Sequence, residues 1–403
     1  MDFLKKSGQT LWQMNPLGPT GWDGSPYGGT SAFAGNPLLI SIDKLKAMGL
    51  VSGNEFSLSR FSMGRVDFRA VHRFKYRVFE KAYQNFRKKS GFNQKRDFKT
   101  FCFKNAAWLK NYSLFVSLKE VFNNSSWNTW DRDLLDRNKP ALEKWRKRLK
   151  ERINFHKFVQ WLFFRQWMEL KAYANKNGIK IIGDLPIFIS YESADVWAHA
   201  SIFYLDKNRK PTVVSGVPPD YYSATGQRWG NPLYNWKRMK ESGYRWWKER
   251  FRRMFILYDI VRIDHFRGFE ACWEIPVKEK TAVKGRWVKV PGYDFFKTIE
   301  EEFGKLPILA EDLGVITEEV EELRDSFSFP GMKVLHFAFS GEPDNKYLPH
   351  GYENNSVVYT GTHDNDTTVG WYKKLSGKER KNIREYLGCL LYTSPSPRDL
   401  STS

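Results

Sequence analysis

Three short apolar runs in this chain each end in a carboxylate beside a turn: Ile260-Val261-Arg262-Ile263-Asp264-His265, Ile308-Leu309-Ala310-Glu311-Asp312, and Val357-Val358-Tyr359-Thr360-Gly361-Thr362-His363-Asp364. A carboxylate held near an apolar interior loses hydration, so stability alone is a poor reason to place three of them at the ends of buried strands. Chemistry is the better reason, and two kinds fit. Three acids bind a divalent cation, or they divide into a nucleophile, a proton donor and a charge stabiliser that together cleave an acetal. A magnesium site usually comes with phosphate-binding glycines or a basic cradle. Here the neighbouring loops are aromatic instead, with Trp22, Tyr27, Tyr221, Tyr222, Trp229 and Phe266. Flat apolar faces among short polar side chains suit a sugar ring, which favours carbohydrate.

The elements that must hold these acids follow from periodicity and breakers. A strand-like run, Thr10-Leu11-Trp12-Gln13-Met14, leads into a Pro- and Gly-rich loop, and from 41 to 175 the pattern is mostly helical. A helix over 158–173 closes at Asn177-Gly178, and Lys180-Ile181-Ile182-Gly183-Asp184 follows as a buried strand. The stretch 190–235 reads as a long loop-rich insertion. A helix over 246–258 then precedes strands at 260–264, 307–311, 332–339 and 356–360, with a further helix at 317–324. Six apolar strands separated by helices argue for a parallel sheet. The leading form is an α/β (β/α)₈ TIM barrel, in which catalytic residues come from the ends of several strands. Six strands are two short of that barrel, so an incomplete one with large helical and loop insertions is expected.

Composition narrows the field. The formal charge of +20 concentrates in residues 61–150, where 23 Lys and Arg face 8 Asp and Glu. Basic residues on the outer face of helices are usually just solvated, and no helix-turn-helix, RNP or zinc-finger pattern accompanies them, so no nucleic-acid partner is expected. Mean hydropathy is −0.58, no apolar run reaches the roughly 20 residues of a membrane helix, and the first residues lack the apolar core of a secretory signal. Three cysteines, Cys102, Cys272 and Cys389, show neither metal-ligand spacing nor a disulfide framework, which fits a cytoplasmic protein. After Gly388 the helical pattern breaks abruptly into Leu391-Tyr392-Thr393-Ser394-Pro395-Ser396-Pro397, which reads as a translated sequencing adapter, so 389–403 is expected to be a non-native tail without chemistry.

Six motifs then occur in order: Gly183-Asp184-Leu185-Pro186, Gly216-Val217-Pro218-Pro219-Asp220-Tyr221, Gly226-Gln227-Arg228-Trp229-Gly230-Asn231-Pro232, Arg262-Ile263-Asp264-His265-Phe266-Arg267-Gly268, Ala310-Glu311-Asp312-Leu313-Gly314 and Gly361-Thr362-His363-Asp364-Asn365-Asp366-Thr367. With Ser25-Pro26-Tyr27 and Ser31-Ala32-Phe33-Ala34-Gly35-Asn36-Pro37, this set resembles the 4-α-glucanotransferases known as amylomaltases or disproportionating enzymes, a branch of the α-amylase clan. The resemblance runs from residue 2 to about 388.

The resemblance implies transfer of α-1,4-glucan segments between maltooligosaccharides by a retaining double displacement, with no metal or organic cofactor. It makes Asp264 the nucleophile, Glu311 the general acid and Asp364 the stabiliser. Tyr27, Asp184, Tyr221, Trp229, Asn231, Arg262, His265 and His363 become substrate-binding residues. Asp312 is expected to cap a turn. Residues 216–232 become a lid that shields the intermediate from water. The implied organisation is a barrel start at 1–40, a helical insertion at 41–175 and catalytic strands at 176–388. Relatives carry one more strand before residue 2 and a further strand and helix beyond 388, so this chain is expected to leave a seam open and to be poorly stable or inactive. The rival readings are a glucan hydrolase or debranching enzyme of the same clan, and a basic binding protein.

Overall fold

The computed structural model describes residues 1–21, 24–52, 61, 64–220 and 223–388. They form two compact units: one of residues 1–264 with 268–307, the other of 265–267 with 308–388. No helix among the described residues is long and apolar enough to cross a membrane.

In the larger unit, strands β1 (Leu11–Gln13), β2 (Lys180–Pro186), β3 (Val213–Val217), β4 (Gln227–Pro232), β5 (Ile260–Asp264), β6 (Ala271–Pro276) and β7 (Arg286–Lys289) make two sheets. β1, β2 and β5 run parallel, with Leu11 opposite Lys180 and Ile182 opposite Ile260. β2 and β5 are largely apolar, with Ile181, Leu185, Val261 and Ile263 almost wholly buried as in strands covered on both faces, and each is interrupted by one buried charged residue, Asp184 and Arg262. Gly183 on β2 has no side chain because the Tyr258 ring lies where one would go: a Cβ there would come within 2.1 Å of it.

The second sheet, in the order β4-β3-β6-β7, is antiparallel. β3 and β4 lie inside the stretch expected to be irregular, and β6 and β7 were not anticipated either. Gly216 on β3 makes the β4 pairing possible, since a Cβ would meet the Gln227 carbonyl oxygen at 2.1 Å.

The helical stretch is as expected in kind. Its longest element, Lys150–Lys176, buries Ile153, Phe155, Phe158, Trp161, Leu162 and Phe163 along one broad stripe and ends where Gly178 turns left-handed at φ +76. Burying one such large apolar side chain contributes about 1.5–3 kcal/mol. Much of the aromatic content is packing of this kind: Trp236, Trp247, Phe269 and Phe295 interlock, with the last two rings stacked at 5.0 Å.

The smaller unit holds β8 (Ile308–Ala310), β9 (Gly331–Val334) and β10 (Ser356–Tyr359). β9 and β10 pair in parallel, Gly331 opposite Ser356. The strand expected over 332–339 stops at Val334, and Leu335–Phe337 turns into a 3₁₀ helix. The rest of that apolar run serves a different purpose: Ala338 and Phe339 join Leu348 and Ile383 in the core of this unit, packed against Trp371 and Leu375. Among the described residues neither unit closes a barrel. Residues 389–403, expected to be a tail, lie outside the described residues.

Candidate functional site

The parallel register of β2 and β5 sets Asp184 opposite Arg262 and Pro186 opposite Asp264. Side chains two apart on a strand share a face, so Arg262 reaches both acids at once: its Nη1 donates to Asp184 Oδ1 at 2.7 Å and to Asp264 Oδ1 at 3.2 Å. Tyr27 completes the group, its hydroxyl donating to Asp184 Oδ2 at 2.6 Å. The burial is graded. Side-chain exposure is 2% for Asp184, 4% for Arg262 and 28% for Asp264, so only the last acid is open to a ligand. Burial, and then the charge of Asp184, push the Tyr27 hydroxyl far above its usual range, so it remains a donor at every ordinary pH. A small cavity lined by Tyr27, Asp184 and Phe188 adjoins this group.

In the smaller unit Glu311 follows β8 directly and is held by two main-chain donors: His265 N to Oε2 at 2.6 Å and Leu313 N to Oε1 at 3.0 Å. The main chain reinforces this through Phe266 N to Glu311 O at 3.0 Å. His265 adopts φ +54, a left-handed turn that aims its N–H at the carboxylate. Burial, helped by the charge of Arg267, lowers the His265 imidazole to about 4, so it is neutral at pH 7. Arg267 Nη1 is itself held by the Val315 carbonyl at 2.7 Å.

Asp312 does not cap a turn, contrary to expectation. It is buried, accepts from Met332 N at 2.7 Å through Oδ1 and pairs with Arg324 at 2.5 Å through Oδ2. This pair fixes the backbone next to Glu311 to the start of β9. Nothing in the sequence marked Arg324 as its partner, since the two lie 12 positions apart and on different elements.

Asp364 sits in the loop after β10 and its side chain is 75% exposed, with His363 Nε2 at 3.4 Å from Oδ1. The loop is folded by short polar side chains: Thr362 N donates to Asn365 Oδ1 at 2.8 Å and Asp364 N to Thr362 Oγ1 at 3.3 Å. It rests on His336, whose ring stacks on Trp371 at 4.3 Å and occupies the space a Cβ on Gly361 would need. His336 drew no attention in the sequence.

Of the remaining expected residues, Trp229 and Asn231 lie on β4. Trp229 is 38% exposed, donates from Nε1 to Gln227 Oε1 at 3.1 Å, and its ring is 6.2 Å from Phe188. Tyr221, like Trp22 and Tyr222, lies outside the described residues. Phe266, counted among the aromatic loop residues, is instead wholly buried and meets Phe329 edge-on at 6.1 Å. Among the described residues no group of three or more His, Cys, Asp or Glu is arranged to hold a metal ion.

Acids at the ends of parallel strands, one of them partly open beside a buried arginine, define an α/β protein with a candidate catalytic site. Comparison with known proteins narrows this class. The glycoside hydrolase 77 model, described as 4-alpha-glucanotransferase, matches residues 1–400. The 4-alpha-glucanotransferase of Thermus thermophilus is 50% identical over 387 residues, covering 96% of this chain and 77% of that protein. The enzyme of the same name from Synechocystis sp. is 48% identical over 394 residues, covering 97% and 78%. Among solved structures, the amylomaltase from Streptococcus agalactiae in complex with acarbose superposes with a TM-score of 0.94 at 39% identity, covering 98% of this chain and 80% of that one. The chain belongs to the 4-alpha-glucanotransferase family.

Proposed function

We propose a division of labour for the transfer of α-1,4-glucan segments that membership of this family assigns to the chain. The Asp264 carboxylate attacks C1 of the donor glucosyl unit as the C1–O4 bond breaks, and Glu311 as a carboxylic acid gives its proton to the departing O4. A covalent β-glucosyl ester on Asp264 results. The 4-hydroxyl of an acceptor sugar then attacks C1, its proton passes to the Glu311 carboxylate, the ester bond breaks and the α-configuration is restored. Asp364 accepts hydrogen bonds from the sugar hydroxyls and steadies the positive charge that develops on the ring, with His363 beside it. His265, neutral at pH 7, serves as a hydroxyl partner.

The observation that carries this reading is the Tyr27–Asp184–Arg262–Asp264 network. A nucleophile must remain ionised, and Arg262 supplies the adjacent positive charge. Asp184, buried with both oxygens engaged, acts as a positioning residue that holds Arg262. Trp229, exposed, and Asn231, half-buried, both on β4 and within the stretch 216–232, would cover the acceptor sugar. Parallel strands within each unit accord with the (β/α)₈ barrel read from the sequence, and three cysteines without a disulfide framework fit a cytoplasmic setting.

Maltotriose and an activated donor test the assignment together. Transfer converts maltotriose into glucose and longer maltooligosaccharides, against the poor activity that an open seam would leave, and Asp264→Asn should abolish it. Glu311→Gln should lose about 10²–10⁴-fold on maltotriose but retain the first step on α-maltosyl fluoride, whose leaving group needs no proton. Shortening of maltotriose without longer products, or equal loss on both donors, would overturn the reading.

A further inference from the structure

The loop that carries Asp364 begins and ends on a single imidazole of the smaller unit. At its start, His336 N donates to Thr360 O at 3.1 Å, and the ring edge formed by Cε1 and Nδ1 lies against Gly361, where a Cβ would come within 2.7 Å of it. At its end, the ring stacks on Trp371 at 4.3 Å, and Nε2 lies 3.3 Å from Thr368 Oγ1 on the helix Thr368–Lys374. Asp364 falls between these two anchors, and its own side chain is 75% exposed with His363 beside it. An acid so open is placed by its backbone, and His336 holds that backbone from both sides.

Burial separates the two protonation states of this ring. His336 is 8% exposed, and its Nδ1 is buried with no hydrogen-bond partner among the described residues. A neutral ring tolerates this, with its one N–H on Nε2 donating to Thr368 and a bare nitrogen at Nδ1, whereas an imidazolium carries an N–H on both. A proton taken up would therefore set a charge and a buried donor without an acceptor against Gly361. Burial accordingly holds the imidazole below its ordinary 6.5, while Asp366 in the same loop, itself paired with Lys374 at 2.7 Å, pulls the other way.

We infer that His336 is a positioning residue for transfer: as a neutral ring it clamps both ends of the loop that presents Asp364, and protonation loosens the clamp. The inference rests on the reading that Asp364 steadies the charge on the sugar ring.

The pH profile of maltotriose transfer tests it, with His336→Gln as the variant, because an amide of similar reach can meet Thr368 and does not titrate. Near neutral pH this variant should keep kcat within about threefold of the parent chain, and His336→Ala should lose about tenfold in kcat with KM little changed. Between about pH 7.5 and 4.5 the parent chain should lose at least roughly fivefold more of its kcat than His336→Gln. Amide hydrogen exchange over 361–367, corrected for the intrinsic effect of pH, reads the same event without turnover. Protection there should fall on acidification in the parent chain and stay level in His336→Gln. Parallel behaviour of the two chains in either measurement would overturn the inference and leave the functional reading standing. Undiminished transfer by Asp364→Asn would overturn that reading, and the inference with it.

Discussion

Arg262 ties the two acids of the larger unit together, because one guanidinium holds a buried acid and a partly open one at once. Removing one partner of a buried pair strands the other, which typically costs about 3–5 kcal/mol. Arg262→Met should therefore lower unfolding stability by about that amount in urea titration and also abolish transfer. An unchanged urea midpoint would mean that Asp184 is compensated by other means. His265 allows a second test, in pH. Its folded pKa of about 4 lies below the ordinary 6.5, so between these values the unfolded chain binds the additional proton. Its contribution to stability is then complete above pH 6.5 and is lost as pH falls toward 4. His265→Asn removes the titration and suits the left-handed backbone. The melting temperature of this variant should vary less between pH 6.5 and 4 than that of the parent chain, and parallel profiles would refute the assignment.

Strands whose apolar run coincides with a buried parallel element were legible before any coordinates. β2, β5, β8 and β10 all lie where the sequence pattern puts them; Asp264 ends β5 and Glu311 follows β8 directly, whereas Asp184 lies inside β2 and Asp364 in the loop beyond β10. The antiparallel sheet was not legible. β3 and β4 are short, carry Gly216 and Gly230 and alternate weakly, and a strand that depends on a partner's backbone close by leaves little trace in periodicity. β9 failed in the opposite direction: an apolar run marks burial, and beyond Val334 the burial belongs to a core cluster instead of a strand. Long-range pairs such as Asp312 with Arg324 have no local signature at all. Gly183 tests how tightly element and site are coupled. Gly183→Ala would force a Cβ to within 2.1 Å of the Tyr258 ring and displace β2 next to Asp184. Overpacking of this kind costs about 1–3 kcal/mol. A stability loss in that range with a larger loss of kcat/KM is expected, since the strand that shifts also holds Arg262 in place. Wild-type stability and kinetics would show that the Tyr258 ring can move aside.

At the scale of the whole molecule, the charge of +20 and the aromatic content each admit two explanations, and structure separates them. The aromatic residues largely build cores, with Trp229 as an exposed exception on a candidate site element. The basic residues divide between ion pairs and open solvent. Arg152 binds Glu80 and Glu120, and Lys75 is drawn in to the carbonyls of Leu38 and Ile40, whereas Arg69, Arg73, Arg77 and Lys88 on the helix Phe68–Lys89 point outward. Such a face attracts polyanions through counterion release, an interaction that weakens by about 10³–10⁵-fold between roughly 50 and 200 mM salt when six to ten phosphates are engaged. Transfer between neutral glucans has no comparable term. Activity on maltotriose should therefore change less than about twofold across that salt interval, while any retention of duplex DNA disappears. DNA binding that withstands the higher salt and survives the double change Asp264→Asn and Glu311→Gln would instead make the basic face a function in its own right, because neither screening nor the glucan site could then account for it.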